Sequence, residues 1–231
     1  MMPAPDDIAA RIDAVRARIT SACDRADRSV DDVTLVGISK THPTETIAEA
    51  FAAGLHDFGE NRVQEAAPKV DALAAREITP VWHLVGHLQR NKVSDVIARF
   101  DILHSVDSER LAEAISARAE AVGAAVKVLI EVNVAGEASK HGVAPEDVSA
   151  LAGRVARMPE IELLGLMTVA PRADDPEDVR AVFRSLRAMR DGLGLRELSM
   201  GMTDDFEVAV EEGSTLVRVG RAIFGARGEQ A

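Results

Sequence analysis

The residue with the most chemical potential is Lys40, which closes the apolar run Val33–Ser39. A lysine held in a partly dry pocket loses some of its preference for the ammonium form, and the neutral amine can attack an aldehyde to form a Schiff base. On spacing alone, the commoner alternative is a solvated lysine at a strand end. Ser199, Gly201, Gly220 and Arg221 follow two later apolar runs. Glycines let backbone N–H groups approach an anion, and a helix starting near Asp204 would add its positive end, so this group suits a phosphate. Its plainer role is in turns. Arg218 lies within Thr215–Val219, where strand alternation puts Leu216, Arg218 and Gly220 on one face and Val217 and Val219 on the other. A guanidinium turned inward needs a partner, and Glu131 is a candidate for a structural salt bridge.

Other candidates carry less. His83 and His87 could ligate a metal, but no HExxH or cysteine cluster supports this, and His83 reads better as a satisfied interior histidine. Cys23 has no catalytic context. Glu60 and Asp107 could act as acids or bases, but read better as solvated or capping carboxylates. Lys140, within Glu137–Gly142, reads as a rim lysine near Glu137. A further possibility is that it captures an aldehyde leaving Lys40.

The elements that position these residues are legible as alternating apolar runs and amphipathic stretches. The expected strands are Val33–Ser39, His56–Phe58, Val81–Gly86, Ile102–Ser105, Val126–Val134, Ile161–Thr168, Glu197–Met200 and Thr215–Val219. The expected helices are Asp7–Arg25, Thr44–Ala53, Pro68–Ala75 with Pro68 in its first turn, Asn91–Arg99, Glu109–Val122 capped by Ser108, Pro145–Met158, Pro176–Asp191 and Asp205–Glu212. Strict β/α alternation implies parallel strands with right-handed crossovers, and eight strands match closure into a TIM-type (β/α)8 barrel with an extra N-terminal helix. An open doubly wound sheet is the alternative, but no GxGxxG follows the first strand. In a barrel the site lies at the strands' C-terminal ends. There the sequence places Ser39-Lys40, Gly59-Glu60-Asn61, Gly86 to Gln89, Asn133, Met167-Thr168, Ser199 to Thr203 and Arg218 to Arg221.

The 231 residues read as one domain over 1–231, with 47% hydrophobic residues and a formal net charge of -11. That charge argues against nucleic-acid binding. A single cysteine excludes an intrachain disulfide, no apolar run is long enough to span a membrane, and Met1 to Asp7 is no signal peptide. The expectation is a cytoplasmic protein, and a monomer.

The strand-end motifs resemble the pyridoxal phosphate (PLP) homeostasis proteins, PLP-binding barrels related to the N-terminal domain of alanine racemases. The resemblance rests on Gly37–Thr41, Phe58–Glu65, His83–Lys92, Gly165–Met167, Leu198–Asp205 and Val217–Gly225, in order along nearly the whole chain. It implies that Lys40 carries PLP, that Arg218 faces the pyridine nitrogen, and that Ser199, Gly201, Gly220 and residue 221 form the phosphate cradle. Asn61 would line the cofactor pocket. Arg221 stands where many members have threonine, so a hydroxyl contact to phosphate is lost there.

Barrel-type racemases pair the PLP lysine with a tyrosine base and use a second domain. This chain has no tyrosine, and few residues follow the eighth strand. An arginine beside the pyridine nitrogen has no acceptor and keeps that nitrogen unprotonated, which weakens the electron sink. The expectation is therefore a PLP carrier or regulator with little catalysis, its partners being PLP itself and PLP-dependent apo-enzymes. A PLP-dependent racemase and a PLP-free lysine aldolase are the alternatives.

Overall fold

The computed structural model describes residues 7–137 and 140–225. Eight parallel strands close into a barrel in sequence order: β1 (Thr34–Ile38), β2 (Asp57–Glu60), β3 (Val81–Leu84), β4 (Ile102–Val106), β5 (Val126–Glu131), β6 (Ile161–Met167), β7 (Glu197–Ser199) and β8 (Leu216–Val219). All eight expected strands are present. β8 pairs with β1 with Arg218 level with Val36, which closes the ring. Alternation divides the apolar residues into two layers. Val36, Ile38, Leu129, Leu164, Met167 and Leu216 fill the barrel interior. Leu35, Phe58, Leu84, Leu103, Val217 and Val219 face the surrounding helices. Leu164 breaks the alternation because it is the extra residue of a bulge: Val128 pairs with Leu163, while Leu129 pairs with Gly165.

The helices are α1 (Ile8–Arg25), α2 (Thr44–Ala52), α3 (Val63–Ala74), α4 (Val93–Ile97), α5 (Glu109–Val122), α6 (Val148–Val155), α7 (Arg180–Leu193), α8 (Phe206–Glu211) and α9 (Arg221–Phe224). The last two are short, and α1 packs against both and against α2, filling the outer shell beside β8 and β1. Ile8, Ile12, Val15 and Ile19, spaced for one helical face, are the buried residues that do this.

Several helix details differ from the sequence expectation: α9 was not expected, and Pro145 and Pro176 open 3-10 turns ahead of α6 and α7. Pro68 lies inside α3, not in its first turn. Pro68 and Gln64 are both exposed, so the Gln64 carbonyl that loses its partner can be solvated, and the cost of an interior proline is softened. Ser108 occupies the N-cap position of α5, but its hydroxyl donates to Asp107 Oδ1 at 3.1 Å and makes no capping bond.

Candidate functional site

Val36 and Ile38 point into the barrel, and Lys40 follows two residues after Ile38, just past the end of β1 at the mouth. Lys40 is half-buried. It sits in a tight turn in which the His42 N–H donates to the Ser39 carbonyl at 3.1 Å. Thr41, the third residue of that turn, has φ 67°. A β-branched residue in this left-handed region is strained by about 1–3 kcal/mol, and such strain persists only where neighbours over-determine it.

The neighbours come from α3. Glu65 accepts the Thr41 N–H. Lys69 donates to the Ser39 carbonyl at 3.1 Å, to Glu60 Oε1 at 2.9 Å and to Glu65 Oε1 at 3.1 Å. The Ser39 hydroxyl also donates to Glu60 Oε1, at 2.8 Å. Glu60 is thus a fully buried ion-pair residue, not a solvated or capping one. Burial pushes its carboxyl up, and Lys69 opposes this.

Arg218 is buried under the mouth. Its Nη1 donates to Ser199 Oγ at 2.5 Å and its Nη2 to the Thr168 carbonyl at 2.8 Å. Burial lowers its pKa to about 10, against the more distant charges of Asp205 and Glu131. Among the described residues Arg218 makes no salt bridge, so the expected ion pair with Glu131 is not formed. Glu131 shares the inward face of β5 with Leu129, and its carboxyl is raised to about 6, by burial first and by Asp107 second.

Ser199 sits lower than a phosphate ligand should. It pairs with Met167 and Leu216, both interior residues, and is fully buried. Beside Arg218, its hydroxyl lies 2.8 Å from His104 Nδ1. His104 Nε2 is 2.9 Å from His83 Nδ1, and His83 Nε2 is 3.0 Å from Asp57 Oδ1. With both rings neutral, one polarity satisfies every atom: Arg218 donates to Ser199, Ser199 to His104, His104 to His83, and His83 to Asp57. Burial, then His83 and Arg218, hold His104 well below the ordinary histidine value, which favours its neutral form. His83 is the satisfied interior histidine expected. The Ser199 hydroxyl, assigned on sequence to the cradle, is engaged inside the barrel.

The glycines differ in kind. Gly201 has φ 92°, and a Cβ there would meet Ala209 Cβ at 2.6 Å and Phe206 Cα at 2.9 Å, so the fold itself requires glycine. Gly220 has an ordinary negative φ, and a Cβ would meet only Ile38, at 3.5 Å. The fold leaves room there beside β1. Arg221 turns outward and pairs with Asp204 at 2.5 Å, both side chains being exposed. Asn61 is half-buried beyond β2, and Thr203 half-buried between Gly201 and α8.

Lys140 pairs with Glu137 as expected, at 2.6 Å, and also donates to the Val169 and Ala170 carbonyls at 3.3 and 3.1 Å. His83 and His87 do not converge. His87 Nδ1 lies 3.3 Å from Asp107 Oδ2, and its ring stacks on His141 with 4.0 Å between centroids and 12° between planes. Ligand atoms of His87, Asp107 and His141, one from each, lie within 4.8 Å of one another, so His87 meets Asp107 and His141 and not His83. Cys23 is buried, and burial raises its thiol.

Sequence reasoning passed over His104, Lys69 and the clamping role of Glu65. A lone histidine in an apolar strand carries no spacing signal. Glu65 and Lys69 do stand at i, i+4 on one helix face, a signal that could have been read.

A fold match alone would leave the family open; the sequence match settles it. The chain is 45% identical over 223 residues to the pyridoxal phosphate homeostasis protein of Aquifex aeolicus, covering 94% of this chain and 97% of that one. The chain belongs to the pyridoxal phosphate homeostasis protein family. Residues 11–228 match the model of the alanine racemase N-terminal domain. Among solved structures, PipY of Synechococcus elongatus with PLP bound is similar, with a TM-score of 0.83, 36% identity, and coverage of 95% of this chain and 100% of that one. D-threonine aldolase of Filomicrobium marinum, at 22% identity and a TM-score of 0.70, shares the fold. This chain covers 60% of its length.

The residues present fit the family's cofactor: a lysine at the mouth, a buried arginine under it, and a glycine whose vacant Cβ position adjoins the lysine's strand. No helix among the described residues is long and apolar enough to cross a membrane.

Proposed function

We propose that this chain binds PLP as a Schiff base on Lys40 and serves to hold and release the cofactor with little catalysis. PLP supplies a reactive aldehyde and, through its ring, an electron sink. The protein's part is to bind and orient. Lys40 presents its amine from β1. Arg218, fixed by Ser199 and Thr168, takes the pyridine nitrogen and offers it only donors, which disfavours ring protonation. The phosphate lies at the β8–α9 junction, where Gly220 permits backbone approach, with Gly201, Thr203 and the Arg221 N–H on its rim; Asn61 lines the pocket wall. The observation that carries this reading is the placement of Lys40, just past the end of β1, beside the adjacent strand β8 that holds buried Arg218.

Relatives named as homeostasis proteins support a non-enzymatic role, as does the lack of tyrosine to act as an opposing base. A monomer that hands PLP to apo-enzymes in the cytoplasm completes the proposal. The test is the visible spectrum of purified protein before and after borohydride, with peptide mapping. The expected result is a yellow band that reduction bleaches, an adduct on Lys40, and no such adduct in Lys40→Ala. A full-yield adduct on another lysine would overturn the assignment. Rapid deuterium exchange at the α-carbon of alanine would overturn the non-catalytic part.

A further inference from the structure

We infer that Glu65 and Lys69 of α3 are positioning residues that clamp the backbone on both sides of Lys40 and so aim its amine into the barrel mouth. The inference rests on the assignment of Lys40 as the PLP lysine.

Three observations carry it. First, the clamp is two-sided. Lys69 holds the carbonyl of the preceding residue, Ser39, at 3.1 Å, and Glu65 holds the N–H of the following residue, Thr41. Only the Lys40 residue itself lies between these two anchors. Second, the jaws are joined. Lys69 Nζ and Glu65 Oε1 are 3.1 Å apart at i, i+4 spacing, so neither anchor moves alone. Third, the turn needs holding. Thr41 has φ 67°, which a β-branched residue leaves when it can. Relaxation of Thr41 toward negative φ would rotate the peptide that joins it to Lys40 and swing the amine away from the mouth.

The clamp is anchored in turn. Glu60 at the end of β2 is fully buried, and its Oε1 receives both Lys69 and the Ser39 hydroxyl. The Lys69 side chain is 11% exposed, so water competes little for its bonds. Glu60 is level with outward Leu84, and the Ser39 hydroxyl bonded to it faces away from the barrel interior too. The clamp therefore acts from behind the sheet, without touching a ligand in the mouth. This gives a role to Glu60 and Glu65, which belong to a family-like motif and otherwise have no part in holding PLP.

A positioning role and a merely structural one differ in what they leave intact. Glu65→Leu and Lys69→Met are made in the full-length protein freed of PLP, each with and without Lys40→Ala. Two quantities are read: the rate at which added PLP gives a borohydride-trapped adduct on residue 40, and, in the Lys40→Ala background, the affinity for PLP docked without the covalent bond. The clamp predicts that adduct formation slows by about tenfold or more, since small misplacement of a reacting group is costly, while docking stays within about twofold. Glu65→Gln, which keeps an acceptor for the Thr41 N–H, should recover part of the rate lost in Glu65→Leu. It also serves as the readable variant if Lys69→Met does not fold. Adduct formation within about twofold of the parent would overturn the inference, as would docking that falls in step with it. If the parent itself gives no Lys40 adduct, the functional reading fails. The clamp is then judged by trace acylation with acetic anhydride, comparing Lys40 with exposed Lys127 as internal standard. A Lys40:Lys127 labelling ratio unchanged by Glu65→Leu would overturn it.

Discussion

Arg218 Nη1 lies 2.5 Å from Ser199 Oγ, and this contact ends a chain of polar groups that begins at half-buried Asp57, the first residue of β2, and is buried from His83 onward. The chain crosses the barrel core from the strands' N-terminal side to the mouth. Ser199→Ala would leave Arg218 and His104 each short of a partner. Removing one partner of a buried bond costs about 1–3 kcal/mol, more beside a charge. The expected outcome is a loss of that order in denaturant unfolding of the PLP-free protein, with phosphate affinity little changed. A variant of parental stability and sharply weaker phosphate binding would return Ser199 to the cradle.

Two buried groups give opposing pH dependence. His104 is held well below its ordinary value, so below about pH 6.5 the unfolded chain takes up a proton that the folded one refuses, and stability falls with acid. Glu131 is raised from 4.5 to about 6, so between those values the folded chain binds the extra proton and stability falls as pH rises. At pH 7 the Glu131 contribution is a penalty of up to about 2 kcal/mol, a figure already net of its attraction to Arg218. Glu131→Gln should therefore gain stability at pH 7.5 relative to the parent and lose that advantage near pH 4.5. Urea unfolding at the two pH values checks it, and a gain of equal size at both would show that the carboxyl's charge is not the cause.

The glycines separate stability from binding. Gly201→Ala forces a Cβ to within 2.6 Å of Ala209 at φ 92°, so thermal unfolding should show clear destabilisation whether or not PLP is added. Gly220→Val meets only Ile38, at ordinary contact distance to its Cβ, so the fold should survive while PLP affinity drops strongly. A Gly220→Val protein that binds PLP as the parent does would move the phosphate elsewhere.

These contrasts mark what the sequence could and could not tell. Most of the eight strands were readable as Val-, Ile- and Leu-rich runs because strands covered on both faces need such residues, though β2, Asp-Phe-Gly-Glu, holds none of the three. The burial of Arg218 was readable because alternation fixes which way a strand residue points. Alternation says nothing about depth, and Ser199 was placed at the mouth when it lies a layer below. Pro68 hid the first turn of α3, and with it Glu65, one of the two residues that clamp Lys40. The hydrogen-bonded histidine pair was not readable, because His83 and His104 meet only when β3 and β4 are in register.

Arg221 marks the departure from the family's usual threonine. Its guanidinium pairs with Asp204, and both side chains are mostly exposed. Exposed pairs contribute about 0–1 kcal/mol. Arg221→Thr should therefore leave PLP affinity unchanged or slightly improved in a fluorescence titration of apo-protein. A loss well beyond about tenfold would place the guanidinium on the phosphate, since a charge-assisted bond is worth about 1.5–3 kcal/mol.

Lys140 supplies the last prediction, because the structure bears on its expected role as a second amine for departing PLP. Its Nζ is held by the Glu137 carboxylate at 2.6 Å and by the Val169 and Ala170 carbonyls. Three acceptors hold the Nζ in place, and the amine must leave them before it can reach an aldehyde. Capture at Lys140 should therefore lag well behind capture at Lys40 when excess PLP and borohydride are applied to the parent protein. Glu137→Gln removes the only charged acceptor of the three and should raise the Lys140 adduct relative to the parent. Peptide mapping of both proteins decides the matter. If Lys140 is labelled as fast as Lys40 in the parent, the three contacts do not restrain it. If labelling stays absent even in Glu137→Gln, Lys140 has no part in capture.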